Sequence, residues 1–433
     1  MHPVVLLIGS LLLLIALRVP IAFALGIASF ITISELGLSY MTVANQMFTS
    51  INSFALLAVP FFLFLGRLMN DGGITDRLLK VADVTVGTFK GGLGHVNVGF
   101  SMMFASISGS AAADTASVGA IIIPAMKKDG YPAPFAVALT AVSSTIGMII
   151  PPSIIMVLYG AFGNVSVGAL FLGGVVPGLL VGFGQMGYTY YIACKYGMQP
   201  SPRKPMKEIA ASIWYASPAL SLPVIILGGI MGGICTATEA AAIAVVVGFI
   251  LAVGVYKNVK VSEIPALLSD SVISYTLPLF CVATAGIMGF LIAYLNIAQD
   301  VADFILGITT DPYMIYALIV GFLLIVGTVL SPVTAVVIFL PILQHLGQVA
   351  GYDQVHLGLV VVLALTIGLV TPPYGISLLI ASQIGGVSSV KAFLAVIPLI
   401  CISLAVIALG IIFPDVFLIL PKTFMPEAFG IIS

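Results

Sequence analysis

The side chains that could do chemistry in this apolar chain gather in one short segment, "SISGSAAADTAS", residues 106–117. It contains one acid among hydroxyl residues, with a glycine five residues before the acid. Carboxylate, hydroxyl and unwound carbonyl oxygens are hard ligands that suit sodium, and an acid at membrane depth marks a functional site by default. An alternative role for the acid is to cap a helix in a water-filled vestibule. We predict a cation site with Ser108, Gly109, Ser110 and Asp114 as ligands, and we expect Ser110 and Thr115 to contact a substrate.

A second segment, "STIGMIIPPSI" at residues 143–153, contains two consecutive prolines inside an apolar run. Proline lacks a backbone N–H and clashes with the preceding helical turn, so the pair should end one half-helix and begin another. The half-helix that begins after the prolines would point its positive dipole end inward, which suits an anionic substrate. We predict Thr145 and Gly147 as cation ligands, and Pro152 and Ser153 as substrate contacts.

Both segments occur a second time. The run "LTIGLVTPPYGI" at residues 365–376 repeats the threonine, the glycine and the proline pair of the first break at an offset of 221 residues. Upstream, an offset of 217 pairs Pro124 with Pro341 and Asp114 with Ser331. Glycines and prolines kept in step over this length predict a duplicated unit, covering about residues 100–185 and 318–405.

The second copy supplies a second set of candidate residues. Its tip has hydroxyls but no carboxylate, which predicts either two cation sites of unequal charge or one strong site near Asp114. We expect the second break to contact substrate through Pro373 and Tyr374. The predicted sodium ligands of this copy are Gly327, Ser331, Thr334, Thr366, Gly368 and Thr371.

The elements that position these residues must be membrane helices. Hydrophobic residues make up 61% of the 433 residues, charged residues 7%, and the mean hydropathy is +1.23. The runs show no alternation typical of a membrane barrel, so the class is all-α and polytopic. Each tip is flanked by two apolar arms that we expect to be too short to cross a hydrocarbon core of about 30 Å, and each hairpin is therefore predicted to be re-entrant. The first apolar segment is expected to be a retained helix.

The charges predict orientation rather than a charged partner. The net charge of −1 gives no indication of nucleic-acid binding. Two basic groups flank a helical hairpin at about residues 213–256, and both of its ends should therefore face the cytoplasm. A third group is expected on the same side. The first two groups are Lys195, Arg203, Lys204 and Lys207 before the hairpin and Lys257 and Lys260 after it, and the third is Arg77, Lys80 and Lys90.

Other features favour transport over catalysis. There is no GxxxxGK[ST] phosphate loop, and no serine or acid dyad is placed as an intramembrane protease requires. The four cysteines and four histidines are dispersed, so we predict no transition-metal site and no cofactor. Glu239 follows Thr236 at the spacing of a capping box, which favours a structural role over an ion pathway.

Four motifs in order, "SGSAAADTASVGAIIIPAMKKDGY", "GMIIPPSI", "CTATEAAAIAV" and "TIGLVTPPYGI", resemble those of the large membrane subunit of tripartite ATP-independent periplasmic (TRAP) transporters, often called DctM-like. The resemblance covers nearly the whole chain. It implies a sodium-driven elevator, in which a transport domain carrying both hairpins slides against a scaffold. It also implies a bacterial or archaeal inner-membrane location and two partners: a small four-helix membrane subunit and a periplasmic solute-binding protein that delivers a small organic anion.

With this resemblance we divide the chain into scaffold helices (1–90), a first repeat core (91–190), central scaffold helices (191–312), a second repeat core (313–413) and a tail (414–433), with the repeats inverted. Many relatives carry an acid where this chain has Ser331, which puts the charge of the second site in doubt. Relatives usually read Thr-Pro-Thr-Glu where this chain has "TATE" at 236–239. The alternatives are a stand-alone sodium-coupled divalent-anion transporter without a binding protein and, from another class, an intramembrane enzyme.

Overall fold

The computed structural model of the chain describes residues 2–202, 204–373 and 375–430, and for residues 105–108 it describes the backbone alone. Over these residues the regular structure is helical, with no β-strand, as the composition predicted. The helices are α1 (Pro3–Ala16), α2 (Ile21–Glu35), α3 (Met41–Ile51), α4 (Ala58–Asp71), α5 (Ile74–Val86), α6 (Gly92–Ser108), α7 (Ala111–Lys128), α8 (Ala133–Thr145), α9 (Ile154–Gly163), α10 (Val167–Lys195), α11 (Met206–Met231), α12 (Ala237–Phe249), α13 (Ile264–Tyr294), α14 (Ile297–Ile308), α15 (Pro312–Gly327), α16 (Pro332–Val349), α17 (Gln354–Gly368), α18 (Ile376–Gly385), α19 (Ser389–Ile412) and α20 (Pro414–Phe424).

Six helical segments of the described chain are long and apolar enough to cross a membrane, and α3 with the bent continuation into α4 would make a seventh. Those six segments are Val167–Lys195, Met206–Met231, Ala237–Val255, Val261–Tyr294, Pro332–Val349 and Ser389–Ile412. The halves of both broken helices are shorter apolar helices. The chain is therefore a polytopic helical membrane protein that combines spanning helices with shorter apolar ones.

The two predicted hairpins are formed by α6 with α7 and by α15 with α16. At the first tip, Gly109 adopts a left-handed φ of 60°, and the Ser110 hydroxyl then accepts the Ala113 N–H at 3.4 Å. At the second tip, the Ser331 hydroxyl accepts the Thr334 N–H at 3.2 Å. The expectation that every arm is too short to span is wrong for α16, because this helix continues through Pro341 to a length of 18 residues.

The first residues of the two tip helices align the two copies differently from the predicted alignment. Helix α7 begins at Ala111 and α16 at Pro332, so their capping residues, Ser110 and Ser331, occupy equivalent positions. The offset of 217 pairs Ser331 with Asp114 instead. Because helix starts are set by the capping hydrogen bond, the structure makes Ser331 a helix cap comparable with Ser110.

The proline pairs interrupt helices as predicted. Helix α8 ends at Thr145, a short 3₁₀ turn follows, and α9 begins at Ile154 after the cis peptide bond between Pro151 and Pro152. In the second copy α17 ends at Gly368 and α18 begins at Ile376 after a cis bond between Pro372 and Pro373. Each break therefore contains a non-helical segment, which is buried around Pro151 and Pro152 and exposed at Pro372 and Pro373.

The second arm of each hairpin supports the half-helix of the other copy. The Lys127 ammonium on α7 donates to the Gly385 carbonyl, the last of α18, at 2.9 Å. The Gln344 amide on α16 donates to the Gly163 carbonyl, the last of α9, also at 2.9 Å. These bonds satisfy carbonyls that a helix C-terminus leaves without intrahelical partners. The two copies are thus joined reciprocally around the breaks.

The basic groups lie together around α5 and at one end of α11 and α12. The Arg77 guanidinium stacks on the rings of Tyr215 and Tyr256, which belong to the two arms of the central hairpin. Lys204 forms an ion pair with Asp83 at 3.3 Å. The third basic group is therefore on the same side as the first two, as predicted, while Arg203 lies outside the described residues. At the opposite end of α12, Thr236 and Glu239 form the predicted capping box.

Candidate functional site

The first tip meets the first break through a glycine. A Cβ placed on Gly109 would lie 3.3 Å from the carbonyl oxygen of Pro152, so the tip backbone closely approaches the carbonyl that precedes α9. Gly109 is buried and has a positive φ, which L side chains adopt only with strain. From the sequence, Gly109 was expected only to permit a tight turn. The structure adds that the turn brings the tip against the proline pair.

The second tip meets the second break even more closely. A Cβ on Gly368 would lie 2.2 Å from the Gly327 carbonyl oxygen, and one on Gly327 would lie 3.2 Å from the Gly368 Cα. The ends of α15 and α17 therefore cross backbone to backbone, which only glycine permits. These two predicted ligands come together as expected, and carbonyl oxygens at the crossing are suitable ligands for a hard cation.

Three threonines near the breaks donate their hydroxyl protons to backbone carbonyls three or four residues earlier in the chain. Thr145 and Thr366, 221 residues apart, each donate to the carbonyl three residues earlier at 2.7 Å. Thr371 donates to the Ile367 carbonyl at 2.9 Å. A hydroxyl that donates its proton keeps its oxygen lone pairs, so each oxygen remains able to accept from or coordinate a cation. Thr145 and Thr366 are buried, as an ion site away from bulk water requires.

Asp114 is fully buried in the first turn of α7, and Thr115 beside it is also fully buried. The N-cap residue of α7 is Ser110, four residues before Asp114. A carboxylate in a first turn is favoured by the helix dipole. Thr115 donates its hydroxyl proton to the Ala111 carbonyl at 2.8 Å. The predicted Ser108 side chain lies outside the described residues.

The predicted substrate contacts differ between the two breaks. Ser153 is fully buried, donates to the Met148 carbonyl at 2.6 Å and accepts the Met156 N–H at 3.4 Å, so it closes the first turn of α9. In the second break Pro373 is exposed, Gly375 precedes α18, and Tyr374 lies outside the described residues. The N-terminus of α9 is therefore tied back by a side chain, whereas that of α18 has no side-chain cap among the described residues.

Each tip also lines a cavity against α13. The first cavity, of about 350 Å³, lies between the start of α7 and the helices α4 and α13. The second, of about 420 Å³, lies between the start of α16, the turn from α1 to α2, and α13. Ser331 and Thr334 line this second cavity, with Oγ and Oγ1 2.8 Å apart. They face α13 there, while Gly327 faces the break.

The sequence did not predict which residues of α4 and α13 complete these cavities. Arg67 and Asp270 line the first cavity, and Cys281 lines the second, where its thiol contacts the Thr334 hydroxyl at 3.7 Å. The sequence did contain an indication of Arg67 and Asp270 as unusual residues. One is an arginine within the apolar run "FFLFLGRLMND", and the other is an aspartate within "LLSDSVISY". Arg67 does not belong to the basic groups that predict orientation.

Comparison with known proteins gives one family over nearly the whole chain. The model of the tripartite ATP-independent periplasmic transporter, DctM component, matches residues 8–416. The chain is 38% identical to the isethionate TRAP transporter permease protein DctMQ of Oleidesulfovibrio alaskensis, over 96% of this chain and 66% of that longer protein. It is 36% identical to the sialic acid TRAP transporter large permease protein SiaM of Vibrio cholerae, over 94% of this chain and 95% of that protein.

Two further similarities agree. The C4-dicarboxylate TRAP transporter large permease protein DctM of Pseudomonas aeruginosa is 36% identical over 89% of this chain and 90% of its own length. Among solved structures, the YdaH transporter of Alcanivorax borkumensis superposes with a TM-score of 0.61, covering 95% of this chain and 98% of that one at 13% identity. At that identity the superposition supports the fold alone.

Proposed function

This chain belongs to the DctM-component family of TRAP transporters, and we propose that it is the subunit that carries a small organic anion across the membrane, coupled to sodium. As a member of that family it is a transporter permease and not an enzyme. The proposal adds the coupling ion, the elevator motion, the substrate class and the partners to this family membership.

The observation that carries the sodium proposal is the crossing of tip and break in both copies. Gly109 reaches the Pro152 carbonyl, and Gly327 reaches Gly368. Buried threonine oxygens, and in the first copy a buried carboxylate, lie on the same elements. Sodium takes such oxygens as ligands, and broken helices at corresponding positions of two halves are typical of secondary-transporter sites.

The elevator proposal is supported by the reciprocal capping. Because Lys127 and Gln344 each hold the half-helix of the other copy, tips and breaks are connected into one unit. That unit packs on α13 through α16 and on α4 through α6 and α9, and a cavity lies beside each tip. Such an arrangement suits rigid movement of the unit against α4 and α13.

Substrate and partners are proposed from the relatives. Their names give isethionate, sialic acid and C4-dicarboxylates, all small organic anions, and the DctMQ protein is a longer permease that includes the part matched by this chain. We propose that this chain acts with a small membrane subunit and with a periplasmic binding protein that selects the anion. Its basic helix ends would face the cytoplasm of a bacterial or archaeal inner membrane.

The test is reconstitution. Proteoliposomes containing this chain and its small subunit receive the binding protein outside, and labelled isethionate, N-acetylneuraminate and succinate are offered in turn. We expect uptake of one of them when sodium is higher outside, and none when potassium replaces sodium. Uptake driven by a pH gradient and indifferent to sodium would contradict the coupling. Uptake without the binding protein would instead favour a stand-alone divalent-anion transporter.

A further inference from the structure

The cavity beside the first tip has a polar wall on the scaffold side. Helix α4 contributes Arg67 and Asn70, and α13 contributes Asp270, Ser271 and Ser274. The tip side is formed by small residues of α7 and its cap, namely Ser110, Ala113, Ala116 and Ser117. Leu63, Gly66 and Phe104 complete the lining, and the space of about 350 Å³ is large enough for a small organic acid.

Arg67 is the one cationic side chain among the described residues that line either tip cavity. The described lining of the second cavity is apolar apart from hydroxyls and the thiol of Cys281. Of the two tip cavities, only the first therefore offers an anion a compensating side-chain charge among the described lining residues. This placement is independent of the cation ligands, because Arg67 belongs to α4 and not to either copy of the repeat.

The present partners of Arg67 hold it only loosely. Its Nη2 lies 3.2 Å from Oδ2 of Asp270, and its Nε lies 3.6 Å from Oδ2 of Asp71. The three side chains are between 36% and 55% exposed, and exposed ion pairs contribute little free energy. A guanidinium carries five N–H donors in a planar fork that matches a carboxylate or sulfonate with two parallel bonds. An incoming anion can therefore replace Asp270 at small cost.

The cavity lies at the end of the scaffold that carries the basic residues. Arg67 is one turn before the end of α4, and the Gly72 carbonyl just beyond it accepts a hydrogen bond from the Asn258 amide at 3.0 Å. Asn258 follows Lys257, one of the residues that predict the cytoplasmic side. Arg67 is thus placed between the first tip and the cytoplasm.

We infer that Arg67 is the release-side receptor for the anionic group of the substrate, exchanging Asp270 for the substrate carboxylate or sulfonate as the substrate leaves the first tip. The inference rests on the proposed function and names a binding residue within it. Asp270 then has the opposite role: it competes with the substrate and reforms the pair when the substrate has left.

The experiment measures inhibition of uptake by the same anion inside the vesicles. Proteoliposomes with the complete system are loaded with increasing isethionate, N-acetylneuraminate or succinate, whichever the wild type takes up. Sodium is equal on both sides, and a membrane potential drives uptake. Losing a charge-assisted pair should raise the internal concentration for half-inhibition about tenfold or more in Arg67→Gln. Asp270→Asn should lower that concentration, and Arg67→Lys should stay closer to the wild type than Arg67→Gln does.

Opposite shifts in the two variants separate this role from a structural one. If the ion pair only stabilised the fold, Arg67→Gln and Asp270→Asn would shift the value in the same direction or leave it unchanged, and either result would overturn the inference. Lys204→Gln breaks another exposed ion pair, with Asp83, and serves as the control with wild-type inhibition. Absence of wild-type uptake for every anion would overturn the proposed function itself and, with it, the role of Arg67.

Discussion

Substitution of Gly368 by alanine is the sharpest test of the proposed second cation site. The new Cβ would lie 2.2 Å from the Gly327 oxygen, 2.4 Å from its carbonyl carbon and 2.6 Å from its Cα, all backbone atoms that cannot rotate away. The ends of α15 and α17 must then separate by about 1 Å, and such overpacking costs about 1–3 kcal/mol. If this cost falls on the sodium-bound geometry, the sodium concentration for half-maximal uptake rises by about 5- to 150-fold.

The measurement is uptake against external sodium, with thermal unfolding of the purified variant beside it. Two glycines of α15 provide matched controls. Gly327→Ala would meet the Gly368 Cα at 3.2 Å and should have a smaller effect, whereas Gly321→Ala has nothing within 4 Å and should behave as the wild type. A Gly368→Ala variant with wild-type sodium dependence would refute the crossing as a sodium site.

Three further predictions concern the same unit. Asp114→Asn should abolish or greatly weaken sodium-driven uptake in proteoliposomes, whereas Glu208→Gln, an exposed acid, should not. Lys127→Met and Gln344→Leu should each lower the free energy of unfolding by about 1–2 kcal/mol, measured by denaturation in detergent, because each leaves a helix-end carbonyl without its partner. Ser331→Asp should reduce the sodium needed for half-maximal uptake, since it keeps a helix cap and adds a charge; Ser331→Asn, which keeps the cap without the charge, should not.

The sequence predicted the breaks and the tips well because glycine and proline act locally. A proline pair ends a helix wherever it occurs, and a glycine permits a left-handed turn such as the one at Gly109. The residue at which the second helix of each hairpin begins was harder to predict from the sequence. The offset of 217 follows Pro124 and Pro341, but these two prolines lie inside α7 and α16 and do not mark where either helix begins. The capping serines do mark it.

Contacts between distant segments could not be read from the sequence. The bonds from Lys127 to Gly385 and from Gln344 to Gly163 span 258 and 181 residues. Nothing in the local pattern of α7 indicates that its last turn supports a helix of the other copy. Similarly, Arg67 belongs to the cavity only because α4 and α13 pack beside the first tip. From the sequence alone, an arginine in an apolar run fits equally well at a helix end that reaches the membrane surface.

The two tips differ in which oxygens they offer, and this bears on the effect of a serine at 331. In the first copy a buried carboxylate accompanies the tip. In the second, the closest approach is between backbones, at Gly327 and Gly368, while Ser331 faces the cavity against α13. Carbonyl dipoles can coordinate sodium without a formal charge. If the proposed second sodium site lies at this crossing, an acid at 331 would act on the ion from the capping position, by its electric field. A serine there should then bind sodium more weakly while leaving the backbone ligands in place.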